Sequence, residues 1–224
     1  RNLTVVYVAM YDAVNAIDRS YAPYFADVHA SRGASMEAAA AQAAHDTLAA
    51  LYPAQQATFD AALAEDLVGI PPGRAKQGIE VGKEVARQIL VWRSTDGSDQ
   101  PETFSLPADP GNWQPTGAPA AFVHAGSITP FAVDSSSQFL PAPPPSLASA
   151  EYARSFNEAK LLGSATSAAR TTFQTDVAMA WRTPLAIEKS WSVDIAAEVA
   201  EARGNSLAEN ARLFAMLGVA NNDT

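Results

Sequence analysis

Ten of the fifteen prolines fall between positions 95 and 148, and this clustering constrains the fold more than any other feature. Proline fixes φ at about −65° and removes a backbone donor, so regular helix cannot run through that stretch. On either side, at about 1–94 and about 149–224, apolar residues recur at steps of three and four. No strand-like alternation persists anywhere, and no repeat with a period of about 20–50 residues is visible. The expected fold is therefore all-α. A bundle of about eight helices forms a single domain over 1–224, interrupted by one long loop at about 95–148.

The first helix is expected over about Leu3–Ile17, with Val5, Val8, Ala9, Ala13, Val14 and Ile17 on one face and Pro23 barring continuation. The second runs over about Met36–Leu51 between the N-cap Ser35 and Pro53. Its alanine face (Ala39, Ala40, Ala43, Ala44) admits close approach by another helix. A third, about Ala54–Leu67, carries Phe59, Leu63 and Leu67. Pro71-Pro72-Gly73 separates it from a fourth, about Arg74–Arg93, expected to bury Ile79, Gly82, Val85, Ala86 and Ile89. Beyond the loop come Ser149–Leu162 with Gly163 as its C′ residue, then Ser167–Trp181. A seventh segment runs from Pro184 through Trp191, Ile195, Val199 and Ala202 to Gly204. The last helix opens on the capping box Ser206-Leu207-Ala208-Glu209. The proline-rich loop also holds Phe104, Trp113, Phe122, Phe131 and Phe139. A flexible linker rarely carries so many rings. Order is therefore expected there, with the rings docked in grooves between helices.

A net charge of −9 with no basic run argues against nucleic acid and anionic lipid as partners. The absence of cysteine removes disulfides, thiolate nucleophiles and cysteine metal sites. No apolar run approaches the ~20 residues of a membrane span. Arg1-Asn2-Leu3 carries neither an initiator Met nor a signal-cleavage pattern, and Phe214–Ala220 is still helical in pattern near the other end. Both termini are read as cuts in a longer protein.

A set of strings in fixed order resembles one family. It begins with 9–17 (Ala-Met-Tyr-Asp-Ala-Val-Asn-Ala-Ile) and Tyr21-Ala22-Pro23-Tyr24, then Ala43-Ala44-His45 and Leu51-Tyr52-Pro53. Ile70-Pro71-Pro72-Gly73, Pro110-Gly111-Asn112-Trp113 and Thr129-Pro130-Phe131 follow. It closes with Pro143-Pro144-Pro145, Lys160-Leu161-Leu162-Gly163 and 207–214 (Leu-Ala-Glu-Asn-Ala-Arg-Leu-Phe). The order is similar to bacterial vanadium-dependent haloperoxidase homologues, in the superfamily that also holds type-2 phosphatidic acid phosphatases. The resemblance covers nearly the whole chain and corresponds to the N-terminal portion of such a protein. It implies halide oxidation by hydrogen peroxide at a His-bound vanadate in the parent. It also implies, as partners, the missing C-terminal helices or another copy in a homo-oligomer, and a secreted or periplasmic location with cytoplasmic as the alternative.

A vanadate site needs several fixed cations around its oxygens, a helix N-terminal N–H, one His on the metal and a second for proton transfer. The resemblance supplies these as Lys and Arg-Pro at a spacing of seven, Ser-Gly-His, and Ser-Arg with a His six residues on. None is present. Lys76, Lys83, Lys160 and Lys189 lead to no Arg-Pro, no His follows a Gly, and Ser31-Arg32 is followed by Ala38 where His is required. Trp181-Arg182-Thr183-Pro184 resembles the first motif, but Thr183 breaks the Arg-Pro step and Thr175 stands at the Lys position. Arg182 is therefore read as a helix-end arginine favouring the C-terminal dipole. His45 is read as structural, His29 as solvated, and His124 as able to reach a cavity mouth. Asp12 and Asn15 are expected to bond nearby backbone. Glu65, Asp66, Glu80 and Glu84 are expected on solvated faces. No catalytic, cofactor-binding or metal residue is thus assigned within the chain, and it is expected to be inactive alone. An acid phosphatase of the same superfamily and a non-catalytic interaction module remain alternatives.

Overall fold

A computed structural model describes residues 1–223 apart from 102, 116, 118–119 and 183–192. Among the described residues there is no strand. The helices are α1 (Asn2–Asp18), α2 (Met36–Leu51), α3 (Gln56–Asp66), α4 (Pro72–Arg93), α5 (Ala150–Gly163), α6 (Thr172–Arg182), α7 (Ile195–Arg203) and α8 (Leu207–Asp223).

α1 is the central post of the core, packed against α2, α4 and α8. The face predicted from spacing is fully buried, but Val6, Tyr11, Ala16, Thr4, Asp12 and Asn15 are buried too. A helix enclosed on all sides needs no solvated stripe, which is why its apolar residues exceed one face. α8 approaches α1 closely at Gly218, where the Thr4 hydroxyl donates to the Gly218 carbonyl at 2.9 Å. A Cβ at Gly218 would sit 3.3 Å from the Thr4 Cα.

α2 and α4 pack most tightly. A Cβ added to Gly78 would lie 2.3 Å from the Ser35 carbonyl oxygen, and one on Gly82 would lie 2.6 Å from that of Ala39. The alanine face of α2 meets the glycine face of α4, with Ala39, Ala40 and Ala43 buried and Ala44 turned partly to solvent. Ile79 on α4 is only half-buried.

Three expectations need correction. α6 starts at Thr172, not near Ser167. The Ser167 hydroxyl accepts from the Arg170 amide, and the Arg170 guanidinium donates to the Leu162 and Ser164 carbonyls, folding this stretch back on the end of α5. Thr171 then caps α6 by accepting from the Gln174 amide. Gly163 ends α5 as its last helical residue and not as a left-handed C′ glycine; Ser164 is the cap. The loop rings do not all dock. Phe131 is buried, but Phe122 is 78% exposed and Phe139 77% exposed, while Phe104 packs edge-on against Trp113 within the loop. The predicted start of the seventh segment at Pro184, and its Trp191, lie outside the described residues. At its other end Gly204 caps α7 at φ 66°. The capping box of α8 is formed, Ser206 and Glu209 bonding each other's amides. No helix among the described residues is long and apolar enough to cross a membrane.

The glycine contacts lead to a paired prediction. Gly82→Ala should lower stability by roughly 1–3 kcal/mol through overpacking, although alanine favours an exposed helix by about 1 kcal/mol. Gly73→Ala, with nothing within 4 Å of the added Cβ, should be neutral or stabilising. Urea midpoints of the two variants check this, and equal shifts would remove the close approach as the reason for Gly82.

Candidate functional site

The long loop is tied down by a buried cation at the end of α4. Arg93 is 2% exposed and donates to Asp96 at 2.8 Å and to the Thr129 and Pro130 carbonyls at 2.6 and 3.3 Å. Arg1 adds a second guanidinium to the same Asp96 carboxylate at 2.7 Å. The Thr129 amide donates to the Asp96 carbonyl at 2.8 Å. Arg93 also lies over the rings of Phe131 and Trp92, at 4.0 and 4.8 Å. Trp92 stacks on Phe25 at 4.4 Å and meets Phe131 edge-on at 5.8 Å.

Beside this cluster the loop meets α8. Asp223 accepts from the amides of Phe131, Ala132 and Val133 at 2.8, 2.5 and 3.1 Å. Burial works against its charge, but those amides outweigh it and hold the carboxyl below its ordinary range. Burial and the Asp223 charge push the Tyr24 phenol up to about 12. It stays protonated and donates to the Phe131 carbonyl at 2.5 Å. The 19–35 connection is held by polar residues of α1. The Asp12 carboxylate accepts from the Tyr24, Phe25 and Ala26 amides, and Asn15 both donates to and accepts from Tyr21. Bonding to backbone was expected of Asp12 and Asn15; the structure shows that this backbone is a separate loop. Burial nevertheless raises the Asp12 carboxyl above its usual value, against the three amides that lower it.

Together these elements enclose a cleft of about 950 Å3. One wall is α8 (Arg212, Met216, Val219, Asp223), another the 132–141 loop (Val133, Phe139, Leu140), and the floor is Tyr11 and Tyr24. Its lining is mostly apolar. Arg212 lies over the Tyr21 ring at 4.9 Å and is the cation of this lining.

The histidines do not meet there. His45 bridges α2 and α3, with Nδ1 2.7 Å from Asp46 and Nε2 2.7 Å from Asp60. Burial opposes its charge, yet the two carboxylates outweigh it and raise its pKa. His29 is 72% exposed beside Asp27. His124 does not line the cleft. Arg182 ends α6 on the surface, Lys76, Lys83 and Lys160 are exposed, and Lys189 lies outside the described residues. Glu80 and Glu84 pair with Lys83 and Arg87 on the solvated face of α4. Among the described residues no three His, Asp or Glu side chains are grouped so as to hold a metal ion.

Vanadate does not fit the described residues. Two cations that do meet, Arg1 and Arg93, converge on a carboxylate and on backbone carbonyls. The cleft offers one guanidinium beside the carboxylate of Asp223, and a trianion needs a surplus of positive charge.

No family profile matches the chain, and no curated sequence matches it significantly. A solved structure does: the first bacterial vanadium-dependent iodoperoxidase, with a TM-score of 0.78, 22% identity, 99% of this chain covered and 60% of that one. The described residues thus share the helical fold of the matched part of that iodoperoxidase. The chain spans 60% of the length of the solved relative.

Sequence reasoning missed Arg93, Asp96, Tyr24 and Asp223. Of these, only the Arg93–Asp96 spacing of three carried a local signal. The Asp96 clamp has a pH signature. Burial disfavours its charge, but bonds from Arg1 and Ser98 outweigh it and depress the carboxyl. Its contribution is therefore complete above the unfolded carboxylate pKa of about 3.9. It is lost as pH falls through the lower folded value. Asp96→Asn should cost about 3–5 kcal/mol at neutral pH by stranding Arg93, and the gap to the parent should narrow in acid. Urea unfolding at neutral pH and toward pH ~3 tests it; a gap independent of pH counts against the clamp.

Proposed function

We propose that this chain is the N-terminal portion of a vanadium-dependent haloperoxidase-like protein, serving as the scaffold on which residues further along the polypeptide build the vanadate site. The carrying observation is a fold shared with an iodoperoxidase along 99% of the chain. The ordered strings from Ala9 to Phe214 support the same reading. Halide oxidation by hydrogen peroxide is then the activity of the whole protein, with iodide the halide to try first because the solved relative is an iodoperoxidase.

The part played by these residues is structural. Arg93, Asp96 and Asp223 fix the loop against α4 and α8, and Asp12 fixes the 19–35 connection against α1. None holds a proton or a cation that is free to serve an oxyanion. A cation cluster from elsewhere is required before any vanadate chemistry begins.

The expected outcome is that this chain, given vanadate, peroxide and iodide or bromide, produces no hypohalous acid above buffer. The polypeptide that includes its downstream sequence oxidises halide and leaves a phosphate ester intact. Turnover by the chain alone overturns the assignment, and phosphate-ester hydrolysis without halide oxidation in the longer polypeptide replaces it with a phosphatase.

A further inference from the structure

α3 buries no residue completely, and its apolar stripe of Phe59, Leu63 and Leu67 is only half-buried. Its main neighbours are α2 and the 53–55 turn. The His45 ring makes a polar joint across the α2–α3 contact. Its side chain is 14% exposed, with Nδ1 2.7 Å from the Asp46 carboxylate on its own helix and Nε2 2.7 Å from that of Asp60 on α3. The Gln42 side-chain amide donates to the same Asp46 oxygen at 2.7 Å and holds that carboxylate in place.

Donor counting fixes the charge of this ring. A carboxylate oxygen only accepts, and a neutral imidazole has a single N–H. Two bonds of this length to two carboxylates therefore need protons on both ring nitrogens. A carboxyl could supply the second proton only by holding it against an imidazole whose ordinary pKa is about two units higher. Burial works against the imidazolium, but the two carboxylates outweigh it. Asp46 and Asp60 are the charges that act on the ring most; the 53–55 turn (Pro-Ala-Gln) brings none, and α1 and α4, the other neighbours of α2, supply none of comparable weight. A neutral ring could donate to one carboxylate only. Its other nitrogen would then turn a lone pair towards the second, and Asp46 and Asp60 would face each other with no cation between them.

We propose that α3 is a pH-gated flap: the His45 imidazolium latches it to α2, and loss of the ring proton releases it while α1, α2, α4 and α8 stay folded. The latch is fully closed below the unfolded histidine pKa of about 6.5 and opens as pH rises through the higher folded value. Opening is local because α3 contributes no residue to the buried core. It uncovers the Phe59, Leu63 and Leu67 stripe, so apolar surface appears on the alkaline side only. The latch uses residues of this chain alone and stands apart from the functional reading above.

Two measurements on the full chain test this. In nitrogen-resolved NMR of the histidine rings, both His45 nitrogens should carry protons at about pH 7, and one should be lost at higher pH. In Asp60→Asn that loss should come at lower pH. Amide exchange, corrected for its intrinsic pH dependence, should show protection across 57–66 falling about threefold as pH rises through the His45 transition, the size of a solvent-accessible ion pair read as an opening equilibrium. Protection across 78–89 in α4 should not change. His45→Gln should make the protection of α3 independent of pH. A His45 ring already neutral at about pH 7 overturns the proposal, as does equal protection of α3 on both sides of the transition. Loss of protection in α3 and α4 together, or a pH dependence that survives in His45→Gln, overturns it as well.

Discussion

Arg93 sits at the end of α4 with its guanidinium withdrawn from water, and the rest of the molecule is arranged so that this charge is never unpaired. A buried ion costs several kcal/mol in lost hydration, and a single partner rarely compensates. Here Asp96 neutralises it, the Thr129 and Pro130 carbonyls take its remaining donors, and the Trp92 and Phe131 rings pack against its planes. These partners come from both ends of a loop more than thirty residues long, so satisfying one side chain closes that loop. Arg1 at the start of α1 shares the same carboxylate, which draws the N-terminus into the joint.

From that joint the cleft follows. Once Thr129 and Pro130 are fixed, Phe131 to Val133 present three consecutive amides to Asp223 at the end of α8, and α8 is clamped to the loop. On the far side, Thr4 and Gly218 set how near α8 lies to α1. The buried polar residues Thr4, Asp12, Asn15, Arg93 and Asp96 are all joints between segments. Asp12, Asn15, Arg93 and Asp96 hold loop backbone that no helix satisfies, and Thr4 adds a bond to a carbonyl inside α8.

Some of the periphery has the opposite character. α5 and α6 bury no residue, and Phe173 is 76% exposed. Such apolar surface is uncommon on a finished monomer. It parallels the exposed Phe139 and Leu140 at the cleft rim. The proposed place of this chain within a longer helical polypeptide would account for both.

Residue spacing alone determined that this chain is helical, that α1 and α4 each carry a buried face, that α2 presents alanines on which another helix can approach closely, and that a capping box at Ser206 opens α8. These are local consequences of a 3.6-residue period, of caps and of proline, and each reads off a window of a dozen residues. The sequence also lacks the three strings that the family resemblance implies for an oxyanion site. The tertiary structure decided which loop rings dock, and it chose Phe131 over Phe122 and Phe139. It brought Arg93 to Asp96 and Thr129, and Asp223 to Phe131, across as many as 92 residues. It also made the last turns of α8, with Asp223, one wall of a cleft. Pairings of that kind leave no periodic trace, because a buried charge is satisfied by whatever backbone the fold carries to it.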